Sequence, residues 1–181
     1  SLKGLRGTPL DVFGYSAALP QILKQAGIQY FLTQKLSWNQ FNKPASHTFL
    51  WEGIDGSRVL THFPPADTYN SVASVKEVLY NVSNFKDHER ANENDLLCGF
   101  GDGGGGPTTA MLEQLRRMKD VDGLPRTQIR SPREFFARCA ADLKDPLVMV
   151  GELYFELHRG TYTSQARNKK FNRQSELLLR D

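Results

Sequence analysis

Asp11, Lys35, Asp102, Glu156 and His158 are the side chains through which this 181-residue chain could do chemistry. Asp11 stands just before a helical pattern, and Lys35 ends the strand read over 29–34. Asp102 interrupts a glycine cluster that follows residues 96–100, and Glu156 and His158 come at the end of the apolar stretch 147–155. In α/β sheets reactive groups collect beyond the carboxyl ends of strands, because the loops there vary while the strands hold them in place. Two carboxylates carried on different strand ends can meet there. Taken alone, Asp11 also reads as a helix cap or as a favourable charge near a helix dipole. His47, His62, His88 and His158 show no metal-ligand spacing with one another or with the cysteines, so no metal site is complete within the chain.

Six of the fifteen glycines fall between Gly99 and Gly106, around Asp102. Such a cluster lets another group approach bare backbone, or lets the backbone take positive φ. The run contains G-x-G-x-x-G ahead of a helix, which is a dinucleotide pattern. Asp102 would turn like charge on a pyrophosphate, however, and Asp120 and Asp122 fall in a turn rather than on a strand end. The phosphate-binding loop of nucleotide hydrolases is absent.

The elements that must position these groups follow from periodicity. Leu19, Ile22, Leu23 and Ala26 have helical spacing, with Pro20 in the first turn and Gly27 as the stop. A strand over 29–34 follows, and then strands over 48–54 and 57–63 flank Asp55-Gly56, which predicts a type I′ hairpin. Val72, Val75, Leu79 and Val82 predict a helix, residues 96–100 a buried strand, and Pro107 the first turn of a helix carrying Met111, Leu112, Leu115 and Met118. Ser131 and Glu134 form a capping box above Phe135, Phe136, Cys139 and Leu143. A strand over 147–155 and a polar helix from Thr163 complete the order. Helices and strands alternate as in a parallel sheet with helical crossovers, with too few strands for a closed eight-stranded barrel.

Composition narrows the class. The chain is 39% hydrophobic and 24% charged, as in a soluble globular domain, with no apolar run near the ~20 residues a membrane helix needs. The net charge of +3 resides in residues 159–181, which hold six Lys/Arg against two Asp/Glu. A basic tail can meet phosphates, but this one also reads as a solvated helix face, so nucleic acid and membrane are not expected partners. Cys98 and Cys139 sit in apolar segments and read as buried thiols of a reducing compartment. The glycosylation tripeptide Asn81-Val82-Ser83 falls on an apparent helix and is read as a chance match.

Read together, DVFGYSAALP (11–20), FLTQKLSWN (31–39), FLWEGIDGSRVLTHF (49–63), GFGDGGGGPT (99–108) and GELYFELHRGTYTSQA (151–166) resemble the family 38 glycoside hydrolases, the class II α-mannosidases, and most closely their cytosolic and bacterial branch. The resemblance implies an α/β fold, the C-terminal part of a seven-stranded β/α barrel over 1–160, running into the first helix of a helical middle domain over 161–181. It implies a retaining exo-α-mannosidase that removes terminal α-D-mannosyl residues from free oligosaccharides or glycans. Asp11 falls at the position of the nucleophile, which is also a zinc ligand, and Asp102 is the candidate acid/base. Phe13, Lys35, Glu156, His158 and Tyr162 fall where the family binds substrate. Zn2+, with Co2+ as a substitute, is the implied metal, its other ligands lying outside this chain. Gly7-Thr8-Pro9-Leu10 departs from the family's tryptophan-leucine-proline strand. The expectation is therefore part of a longer cytoplasmic protein, inactive by itself, with the homo-oligomer left open for the whole protein. Two alternatives stand beside it: a non-catalytic carbohydrate-binding remnant, and a partner-binding domain using the basic last helix.

Overall fold

A computed structural model describes residues 12–101, 105–157 and 166–180. Its centre is a four-stranded sheet, β1 (Tyr30–Leu32), β2 (Thr48–Glu52), β3 (Arg58–His62) and β4 (Leu147–Val150), in the order β1-β3-β2-β4. β1 runs parallel to β3 and β4 parallel to β2, while β2 and β3 are an antiparallel hairpin. The sheet is mixed, which corrects the all-parallel expectation. The hairpin imposes the mixture: a loop as short as residues 53–57 can only join antiparallel neighbours. The structure confirms a mixed α/β fold.

Alternation along the strands sorts two cores. Phe31, Phe49, Trp51 and Val59 face one side, where α1 (Leu19–Gln25), Tyr15 and Leu153 cover them. Leu32 and Leu60 face the other side, beneath Phe135, Phe136 and Cys139 of α4 (Pro132–Asp142). Tyr30 stacks on Phe136 with ring centroids 5.0 Å apart. Both faces of the central strands are therefore dry, as α/β layering requires. Pro20 and Gly27 (φ +75°) bracket α1, and the Ser131–Glu134 capping box opens α4, as the sequence predicts.

Five local expectations are corrected. The hairpin turn is not type I′, because Gly56 has positive φ (+80°) and Asp55 does not. Gly56 N–H donates to Gly53 O at 3.1 Å and Gly53 N–H to Ser57 O at 2.9 Å, a type I turn closed by a left-handed glycine. α2 spans Val75–Asn84 and is opened by a Ser74–Glu77 capping box. That phase buries Val78 and Asn81 and leaves Val72, Val75 and Leu79 exposed. The run 96–100 makes two isolated bridges instead of a strand, Cys98 parallel with Ser71 and Phe100 antiparallel with Gly105. Residues 147–155 break at Gly151 (φ +99°), where the chain leaves β4 and Leu153 pairs with Tyr15.

Pro107 precedes Thr108, the N-cap of α3 (Thr109–Arg117), instead of lying in its first turn. Cys139 is buried, and burial pushes its thiol up to about 12; Cys98 is half-buried and its thiol is raised by the same cause. Asn81 is buried and its Nδ2 donates to Asp95 O at 2.7 Å, so the tripeptide offers no acceptor at the surface. His62 Nε2, fully buried, lies 3.0 Å from Asp95 Oδ1. α5 (Ala166–Leu178) forms as expected and buries none of its residues. Among the described residues no helix is long and apolar enough to cross a membrane.

Candidate active site

The carboxyl end of β1 carries the described part of the site. Past Leu32 the chain tightens into a 3-10 turn, Lys35–Trp38, which turns Lys35 inward to 3% exposure. Its Nζ lies 4.4 Å from the ring centre of Trp38, 4.9 Å from that of Tyr69 and 5.3 Å from that of Phe13, and donates to Tyr69 Oη at 3.3 Å. Aromatic faces offset part of the ammonium's lost hydration, which bare apolar packing would not. Phe13 and Trp38 are half-open to solvent, so they form the outer walls of this cage.

Phe13 is held by the two residues after it. Tyr15 and Leu153 exchange backbone hydrogen bonds of 2.9 and 3.0 Å. Gly14 between them has φ +102°, and a Cβ there would sit 3.2 Å from Phe155 N and 3.3 Å from Leu153 O. Only glycine allows so close an approach at that φ. The Phe13 ring then rests 5.8 Å from Phe155, while Tyr15 packs edge-on to Phe31 and its hydroxyl meets Thr33 Oγ1. Thus 12–15 lie against 153–155, under the end of β1.

Glu156 is buried, and its carboxylate accepts from Phe41 N–H at 2.6 Å, Asn42 N–H at 3.2 Å and Asn42 Nδ2 at 2.5 Å. Glu156 N–H donates to Asn39 Oδ1 at 2.8 Å, and Asn39 Nδ2 donates to Tyr154 O at 2.9 Å. Glu156 therefore fastens the loop that leaves the Lys35 turn. Phe13, Lys35 and Glu156 thus share one region, the first two in contact and the third supporting the turn from behind.

Asp11, Asp102, His158 and Tyr162 lie outside the described residues. The glycine loop is legible at its stem. Phe100 and Gly105 exchange backbone hydrogen bonds of 3.0 and 2.8 Å, and a Cβ on Gly99 would stand 2.6 Å from Gly105 O. Some of the glycine is therefore spent on the loop's contact with itself. Sequence reasoning missed Trp38 and Tyr69. Trp38 was findable as the residue one helical turn after Lys35, whereas nothing local marks Tyr69, which is 34 positions away.

Among the described residues no three His, Cys, Asp or Glu come together as metal ligands. A recess of about 970 Å3 lies elsewhere, between α2, the 91–98 segment and residues 119–130, and none of the described candidate residues lines it.

The fold is of the α-mannosidase kind. Over 81% of this chain and 18% of the other, it superposes on the crystal structure of an α-mannosidase from Enterococcus faecalis V583 with a TM-score of 0.64 at 14% identity. Sequence comparison carries the point further. The family profile of the glycosyl hydrolases family 38 N-terminal domain matches residues 7–158, and the chain belongs to that family. It is 56% identical to human alpha-mannosidase 2C1 over 94% of its length, 57% identical to alpha-mannosidase G of Dictyostelium discoideum over 93%, and 44% identical to a Saccharomyces cerevisiae alpha-mannosidase over 94%. The chain spans about a sixth of the length of these curated relatives.

Proposed function

We propose that the whole protein carrying this chain is a retaining exo-α-mannosidase acting on mannose-terminated oligosaccharides in the cytoplasm. The observation that carries this reading is the Lys35 ammonium held between Phe13, Trp38 and Tyr69, with Phe13 two positions after Asp11. Family membership supports it further. Asp11 attacks the anomeric carbon while Asp102 protonates the departing glycosidic oxygen. Asp102, now a base, then takes a proton from water, and the hydroxide portion displaces Asp11 from the sugar carbon. Two displacements return the α configuration.

Phe13 offers the sugar an apolar face, and Lys35 supplies positive charge near the carboxylates. His158 and Tyr162 line the pocket, and Glu156 holds the 39–42 loop. Asp11 also suits a zinc or cobalt ion as one carboxylate ligand, and the bound ion would orient hydroxyls and act as a Lewis acid. The same reading makes residues 1–160 part of the barrel and 161–181 the beginning of the next domain.

Two variants of the full-length enzyme test these roles. Asp11→Ala abolishes hydrolysis of an aryl α-mannoside and releases metal measured by elemental analysis. Asp102→Ala loses at least about 100-fold in kcat, as expected for removal of an acid/base, yet keeps its metal. Equal metal loss in both contradicts the division of roles. A separation of about 5 Å between the two carboxyls supports retention, whereas about 9 Å would mean inversion. Mannoside binding without turnover in the wild type would favour the carbohydrate-binding alternative.

A further inference from the structure

Trp38 is 42% exposed, although Lys35 in the same turn is buried. A large indole left half in water is ordinarily free to change rotamer, but this one is fixed twice. Its ring covers the Lys35 ammonium at 4.4 Å, and its Nε1–H donates to Asp67 O at 3.0 Å. Asp67 is itself clamped. It holds φ +55°, its carbonyl also accepts from Gln34 Nε2 at 2.9 Å, and its carboxylate accepts from Tyr80 Oη at 2.7 Å and Asn84 Nδ2 at 3.2 Å on α2. That carboxylate pushes the Tyr80 hydroxyl up to about 12, so the hydroxyl stays a donor at neutral pH. An exposed aromatic ring in a fixed orientation, sharing the ammonium with Phe13, matches the C–H face of a pyranose ring.

We propose that Trp38 is a sugar-stacking wall of the site and that Asp67 is its positioning residue. The ligand is a pyranoside that lays its apolar face on the indole. This rests on the reading of the site as mannoside-binding, and a binding readout separates the two.

The test uses the full-length protein. Calorimetric titration with methyl α-mannoside and α-mannobiose is run beside hydrolysis of an aryl α-mannoside. Trp38→Leu raises the Kd about tenfold, whereas Trp38→Phe, which keeps an aromatic face, changes it less than about threefold. Asp67→Ala falls between them, with kcat changed less than Kd. An unchanged Kd in Trp38→Leu, or equal losses in the Leu and Phe variants, overturns the proposal. A footprint on the wild type needs no variant: N-bromosuccinimide oxidises Trp38 and mannoside protects it, read by mass spectrometry. Absence of protection at saturating sugar also overturns it. Trp38-dependent binding without any cleavage would remove the hydrolase reading and leave the stacking wall. Cleavage with an indifferent Trp38 would do the reverse.

Discussion

At the scale of single residues, the described site shows one cation, Lys35, taken out of water and surrounded by ring faces. Removing a buried group's neighbours costs more than removing a surface contact, because the remaining polar group is left without compensation. The glycine loop obeys the same local logic from the steric side. Gly99→Ala places a Cβ 2.6 Å from Gly105 O, whereas Gly106→Ala meets nothing within 4 Å. The first variant is expected to lose about 1–3 kcal/mol in denaturant titration and to open the Phe100–Gly105 pinch. The second, control variant stays within about 0.5 kcal/mol of wild type. Equal midpoints for the two would show that the pinch does not constrain the loop. Lys35 and Gly99 were both findable by type and position, but Tyr69 was not, since only the fold brings it to Lys35 Nζ.

At the scale of elements, α2 and α4 begin where their caps say. Ser131 Oγ accepts from Glu134 N–H while the Glu134 carboxylate accepts from Ser131 N–H at 2.9 Å, and Ser74 and Glu77 repeat the device on α2. Those reciprocal bonds hold the Glu134 carboxyl below the usual carboxylate range, and although burial raises the Glu77 carboxyl, its bonds from Ser74 and Val72 bring it below that range too. Ser131→Ala should therefore cost about 1 kcal/mol, read as a shift in the urea midpoint at unchanged slope. An unaltered midpoint would mean that α4 is held by Phe135 and Phe136 alone. The Ser131 box was legible because Pro132 and an apolar stripe follow it. On α2 the stripe misled: Val72, Val75 and Leu79 repeat at helical spacing, yet Ser74 is the cap, so Val72 lies before the helix and the buried phase passes through Val78 and Asn81. Strand 96–100 failed for a related reason, since apolar residues permit a strand but only a partner edge makes one, and here Ser71 and Gly105 each offer a single bridge instead of an edge.

At the scale of the whole molecule, buried polar groups tie distant segments together and make global stability depend on pH. Asp87, 1% exposed, accepts from Ser46 Oγ at 2.8 Å, His47 N–H at 2.7 Å and Thr48 N–H at 2.9 Å, joining the end of α2 to the start of β2. Beside it, His47 Nδ1 accepts from Lys86 N–H at 3.1 Å, which places the imidazole proton on Nε2. Burial, aided by the charges of His62 and Lys86, lowers the His47 pKa from 6.5 to about 4. The native state thus refuses a proton that the unfolded chain accepts. Stability is complete above pH 6.5 and declines as pH falls toward 4, by up to about 3 kcal/mol for this group. Urea titrations between pH 7.5 and 4.5 should show this slope, and His47→Asn, whose Oδ1 can still accept from Lys86 N–H, should flatten it. A variant slope equal to wild type would assign the acid sensitivity to the carboxylates instead.

Types and spacings along the chain determined the order of α1, β1, the hairpin, α4 and α5 and nominated Asp11, Lys35, Asp102, Glu156 and His158, while Phe13 and Tyr162 came from the family resemblance. These are local matters: caps, turns and periodicity act over a few residues and leave their signature there. Tertiary structure alone decided that the sheet is mixed, that Gly151 ends β4, that Glu156 fastens 41–42 from 114 or more positions away, and that Trp38 and Tyr69 face one ammonium. Each depends on which segments share a hydrogen-bonding edge or a desolvated space. That free energy belongs to pairs of residues far apart in the chain, so no single stretch of sequence carries it.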